Sequence, residues 1–199
     1  MTQRNSALNH IAQQLAAAWQ LVRLSPQAID EFEVTANSFW KSFWVIILVA
    51  PLFLIGVYVG SQVIGELENE LKQEIVISVP GQIVVFLVQL PLLAIALGLF
   101  TKFLKIEKNY SSMIIAYNWL WMVISYCTVP FIILMVAGLI PAQMAALIFW
   151  MLMFYFKGYV TWFMFKHSLK ISGWLAFGIT VFQTLFILSV SQVVMLIFV

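Results

Sequence analysis

Five stretches of this 199-residue chain are each long and apolar enough to bridge a bilayer, and no other feature narrows the fold so far. Crossing about 30 Å of hydrocarbon at about 1.5 Å per residue takes about 20 predominantly apolar residues in a helix. The first stretch runs from about Phe43 to Val63 and the second from about Ile77 to Leu104, with Pro80 and Pro91 inside it. The third runs from about Met113 to Leu139 and contains Pro130, the fourth from Pro141 to Phe165, and the fifth from Ile171 to Val199. Backbone N–H and C=O groups in hydrocarbon must pair within their own segment, so each stretch is expected to be helical. The expected fold class is all-α: a polytopic membrane protein with five transmembrane helices behind an N-terminal cytoplasmic amphipathic helix. Residues 1–39 would form that cytoplasmic segment, and 40–199 the five-helix bundle.

Composition agrees. Hydrophobic residues make up 63% of the chain and charged residues 9%, whereas a soluble domain carries about 25% charged residues. Ten Lys and Arg against eight Asp and Glu leave a formal charge of +2, too balanced for a nucleic-acid partner. The single cysteine, Cys127, permits no intrachain disulfide and no multi-thiolate metal site. His10 and His167 fall outside the apolar stretches, so two intramembrane histidines are not available to hold a haem. No cofactor is expected.

Orientation follows from the basic residues, which concentrate in cytoplasmic loops. Arg4, Arg23 and Lys41 precede the first span; Lys102, Lys105 and Lys108 lie in the second connection, Lys166 and Lys170 in the fourth. The opposite side holds Lys72 alone, a ratio of eight to one, with Lys157 left inside a span. The N-terminus is expected in the cytoplasm and the C-terminus on the far side, with no cleavable signal peptide and no exported soluble domain.

Before the first span, Leu8, Ile11, Leu15, Trp19 and Val22 recur every three or four residues, one face of a helix. Asn9, Gln13, Gln14, Gln20 and Arg23 form its polar face, and the helix is expected to end at Ser25-Pro26. Its positive charge is too low for an electrostatic lipid sensor, so docking on the bundle or on a partner is favoured over the headgroups. Thr35 is the expected N-cap of the helix that enters the first span.

Lys157 is the one ionisable residue well inside a predicted span, where an ammonium costs on the order of 3 kcal/mol and marks a functional position by default. It has two readings. Its stem snorkels toward the cytoplasmic interface, or its charge meets a partner subunit, an anionic lipid or a cofactor carboxylate. No predicted span contains Asp or Glu, which argues against a proton relay. Asn118 must find an interhelical partner, and Trp119 and Trp121 flank it well inside the third span. The fourth span is crowded with aromatic rings and methionines on every face. Trp150 and Phe154 share one face, and Trp162 is turned from it by about 80° at about 100° per residue. Rings in such number exceed what five helices bury, so lipid or another subunit should cover some of them. Pigment or quinone binding would lack an axial ligand or redox residue. Gly56-Val-Tyr-Val-Gly60 is a small-xxx-small motif, expected to let two helices of the bundle approach closely. The Glu-rich connection from Gly65 to Glu74 reads as a solvated loop on the far side.

Five spans, a cytoplasmic N-terminal segment, a far-side C-terminus and the short third connection Gly138 to Pro141 together resemble the Yip superfamily of small polytopic membrane proteins. The resemblance covers roughly Thr35 to the end and is architectural. Eukaryotic members act with Rab-type GTPases through a cytoplasmic Asp-Leu-Tyr-Gly-Pro-type motif; Ala28-Ile-Asp-Glu-Phe-Glu33 stands in its place here. Ser38-Phe-Trp-Lys-Ser-Phe-Trp44 is similar to small bacterial inner-membrane proteins, which implies that location. The expected function is non-enzymatic, through protein or lipid contacts, as an accessory or assembly subunit of a larger membrane complex. The alternative is a small transporter or channel, suggested by Lys157, Asn118 and the proline-broken second span.

Overall fold

The computed structural model describes residues 2–71, 78–137, 139–140 and 142–198, with side chains outside the description at 2–8, 62–71, 135–136, 142–143 and 145–146. Lys72 and the last two residues of the Glu-rich connection therefore lie outside the described residues, as do Gly138 and Pro141 of the third connection. Gly65 to Leu71, expected in a loop, instead continue the helix that begins at Val45, because nothing between them breaks the backbone ladder. The described chain is all-helical. It has five segments long and apolar enough to cross a membrane: Ala36–Ser61, Val79–Phe103, Glu107–Leu134, Leu147–Leu169 and Gly173–Phe198.

Helix α1, Thr2–Val22, precedes them, followed by a 3-10 turn at Pro26–Glu31. Helices α2, Ala36–Ser42, and α3, Val45–Leu71, build the first segment. Thr35 caps α2, its Oγ1 accepting from the Ser38 backbone N–H at 3.0 Å. Helix α4 is Val79–Phe103, with Pro80 in its first turn, where a proline's missing N–H costs nothing, and Pro91 in its interior. The third segment is divided into α5, Tyr110–Cys127, and α6, Val129–Val136, at Thr128. Pro130 lacks the N–H that would continue the ladder there. The fourth comprises α7, Ala142–Met153, a π-helical segment, Phe154–Val160, and α8, Thr161–Leu169; α9 is Gly173–Phe198.

Helix α5 is apolar on nearly every face, as a helix surrounded by others must be. Met113 to Leu120 are all buried, and α1, α2, α3, α4 and α8 pack on it. Helices α4 and α9 run antiparallel. At one end a Cβ on Gly81 would lie 3.0 Å from Met195 Sδ and 3.3 Å from Phe198 Cβ; toward the other, Phe100 and Phe182 stack with ring centroids 4.5 Å apart. The end of α4 and the start of α9 thus share one end of the bundle. The 3-10 turns Pro26–Glu31 and Glu107–Asn109 both pack on α8. Asp30 of the first turn shares a cleft with Lys166, His167 and Lys170. The end of the N-terminal segment and the second and fourth connections therefore gather at one end of the bundle.

Helix α1 docks on α5, and its buried face differs from the periodicity. Gln14, Ala17, Ala18 and Leu21 are fully buried. Ile11, Leu15 and Val22 lie at the edge of this face and Trp19 is half-exposed. Gln14, placed on the polar face by its spacing, is thus in the interface, and its amide meets no partner among the described residues. Small alanines decide the matter, because they let α1 approach α5 where larger side chains would hold it off. The chain after α1 folds back along it. His10 Nδ1 lies 2.9 Å from Glu33 Oε2, and Gln20 Nε2 donates to Glu31 Oε2 at 2.8 Å.

Candidate functional site

The π-helical segment is the local irregularity that sets up the site. Thr161 Oγ1 donates to the carbonyl of Phe156, five residues back, at 3.1 Å. One extra residue per turn offsets the register of side chains before and after it, and such π-bulges often mark functional sites. Phe156 and Val160 are buried, Phe154 is exposed, and Lys157, in mid-segment, lines a cavity between the helices.

That cavity has a volume of about 550 Å³, within the range of small-molecule sites. On α3 it is lined from Val49 to Ser61 and on α4 from Val79 to Gln89, so it extends about 15–18 Å along the helix axes. Lys157, Gln89 and Trp121 lie at one end. Ser61, Val79 and Met195 lie at the other, toward the bundle end opposite the basic connections. The walls between are mostly apolar, with Phe53, Val57, Phe86, Ile132, Phe149 and Met153 among them, and Gln82, Ser125, Thr128 and Ser191 add polar groups. Phe53 and Phe86 stack with centroids 4.2 Å apart, and Phe86 lies 5.8 Å from Trp121.

Beside Lys157 is a second space of about 30 Å³, lined also by Gln89, Tyr117, Trp121 and Gln183, room for at least one water molecule. Gln183 is 4% exposed. Its Nε2 donates to Tyr117 Oη at 3.1 Å, and its Oε1 meets no partner among the described residues. No ion pair or hydrogen bond to the Lys157 ammonium is found among the described residues. Among the described residues the cavity thus offers one cation, with the Gln89 amide beside it, at the end of a mostly apolar slot along which further amide and hydroxyl groups are spread.

The other predicted residues fall in distinct places. Gly56 and Gly60 do not bring two helices together: a Cβ on either would meet nothing within 4 Å, and both line the cavity. Asn118 is buried and its Nδ2 donates to Ser42 Oγ at 2.8 Å, the interhelical partner its position demanded. Trp119 is buried in the core with its Nε1 unpaired among the described residues, whereas Trp121 lines the cavity. Trp150 and Phe154 are 71% and 81% exposed. Trp162 is turned inward: its Nε1 donates to the Gly173 carbonyl at 2.8 Å, and Lys166 Nζ sits 5.5 Å from its ring centre. Sequence reasoning passed over Gln183. Its signal was present, as an amide in the middle of an apolar stretch.

Fold and cavity together define a class, that of all-helical chains with five segments of membrane-crossing length and apolarity. No family model, curated protein or solved structure matches the chain.

Proposed function

We propose that the chain is an integral membrane protein of the bacterial inner membrane, built on Yip-like lines, with its N-terminus and amphipathic α1 in the cytoplasm. It works without catalysis, through contact with lipid and with other membrane proteins, as an accessory or assembly subunit of a larger complex. The observation that carries this reading is the outward face of the fourth segment, where Trp150 and Phe154 are 71% and 81% exposed beside exposed Leu147 and Met151. In a bilayer, helices associate through close packing more than through the hydrophobic effect, so bulky rings favour a specific interface only against a shaped surface. Replacing both Trp150 and Phe154 with leucine should release the protein from the partners that co-purify with it in mild detergent, leaving its own fold intact. Undiminished co-purification would assign the face to lipid alone.

The second reading, a small transporter or channel, has the Lys157-lined cavity in its favour. It predicts solute or proton flux in liposomes that Lys157→Met abolishes without loss of fold.

A further inference from the structure

We infer that the cavity is a binding site for a single-chain amphiphile with an oxyanion head, seated with its head on Lys157 and its chain along the slot toward Ser61 and Met195. The site stands apart from the exposed face of the fourth segment, and either can fail without the other.

Three independent features point to this occupant. The first is charge. Lys157 stands in the middle of a segment of membrane-crossing length, where an ammonium without a counter-ion is costly. No acidic side chain among the described residues lines the cavity, so an anion from outside the chain would neutralise it. The second is hydrogen bonding. Gln89 shares both spaces with Lys157, and in the smaller one the buried Gln183 presents its amide Oε1, an acceptor that no described residue satisfies. An oxyanion takes donors from an ammonium and an amide N–H. Exchanging the amide's O and N, which the geometry permits, would turn that N–H toward the head. The third is shape. A slot about 15–18 Å long with mostly apolar walls suits one hydrocarbon chain, and it exists because Gly56 and Gly60 put no side chain into it. A small hydrophilic anion would leave those walls dry, and a neutral lipid would leave the lysine unpaired. A bilayer supplies molecules with both properties.

The test uses the full chain in phosphatidylcholine nanodiscs, with palmitate bearing a nitroxide near its terminal carbon as probe. Electron paramagnetic resonance reads the immobilised fraction. Saturable binding is expected, displaced by unlabelled palmitate but about tenfold less effectively by its methyl ester, since a charge-assisted contact is lost. Lys157→Met should weaken binding about tenfold and Lys157→Arg should retain it. Gly56→Leu, which fills the slot without touching the charge, should weaken it as well, with thermal unfolding confirming that the variants fold. Equal competition by the methyl ester, or undiminished binding in Gly56→Leu, would overturn the inference. Displacement by inorganic phosphate alone would assign the lysine to a free anion and overturn it too. Because the competition arm uses the unaltered protein, the inference stays open to refutation even if a variant does not fold.

Discussion

Asn118 and Ser42 are 76 positions apart and joined by a 2.8 Å hydrogen bond, Nδ2 to Oγ, buried between the third and first segments. Ser42 in turn donates to the carbonyl of Phe39 at 2.7 Å, so its oxygen is both donor and acceptor. The bond fixes the rotation of α2 about α5 and so the direction in which α3 leaves it. Asn118→Ala should lower stability by about 1–2 kcal/mol, the cost of leaving a buried hydroxyl acceptor unmet. Thermal unfolding in detergent measures it, and Ser42→Ala added to Asn118→Ala should cost little more, because the pair acts as a unit.

Trp162 and Trp150 should respond in opposite ways to the same change. Trp162→Leu removes the hydrogen bond to Gly173 and the ring over which Lys166 lies. A loss of about 2 kcal/mol is expected, together with a looser connection between α8 and α9. Trp150→Leu replaces an exposed apolar side chain with another and should leave the unfolding midpoint near its original value. Equal losses in both variants would contradict the inward turn of Trp162.

Two glycines separate packing from open space. Gly56→Ala projects its methyl group into the cavity and should be neutral to slightly stabilising, because nothing lies within 4 Å and alanine is the better helix former. Gly81→Ala meets Met195 Sδ at 3.0 Å and Phe198 Cβ at 3.3 Å and should spread α4 from α9, lowering stability relative to Gly56→Ala. Paired melting curves decide it.

The return of the chain along α1 should be sensitive to acid. Burial acts to raise the Glu33 pKa, but hydrogen bonds from Ser38, His10 and Thr35, with the charge of His10, outweigh it and hold the carboxyl below its ordinary value of 4.5. A carboxyl whose folded pKa is depressed contributes its stability above the unfolded value and loses it as pH falls through the folded one. Protection of the α1 amides from hydrogen exchange should therefore fall as the pH drops below about 4.5. Glu33→Gln should flatten that acid limb.

Orientation has a direct check. The gathering of the basic connections at one end, with the eight-to-one excess of Lys and Arg, places that end in the cytoplasm if the chain inserts as proposed. An alkaline-phosphatase fusion after Val199 should be active and one after Lys105 inactive; the reverse pattern would overturn the orientation.

Five helical segments were legible in the sequence because length and apolarity are properties of each stretch alone, and a backbone in hydrocarbon has no partners but its own. Thr35 as a cap was legible for a similar reason: the bond it makes reaches only to Ser38. Asn118 announced a partner without naming it, since Ser42 belongs to another segment. Which way side chains face was a matter for the tertiary structure. Periodicity put Gln14 outward, but Ala17, Ala18 and Leu21 brought its face against α5. Gly56 and Gly60 carried the spacing of a helix-packing motif, yet no neighbour fills the space over them, and they became the wall of a cavity. The π-helical segment, invisible to any 100° periodicity, shifted the register of the fourth segment. It left Lys157 on that cavity with Gln89 of α4, and on the smaller space with Gln183 of α9. Helix type is local, whereas a cavity is the shape left over when several helices fail to touch, and only their mutual packing determines where that occurs.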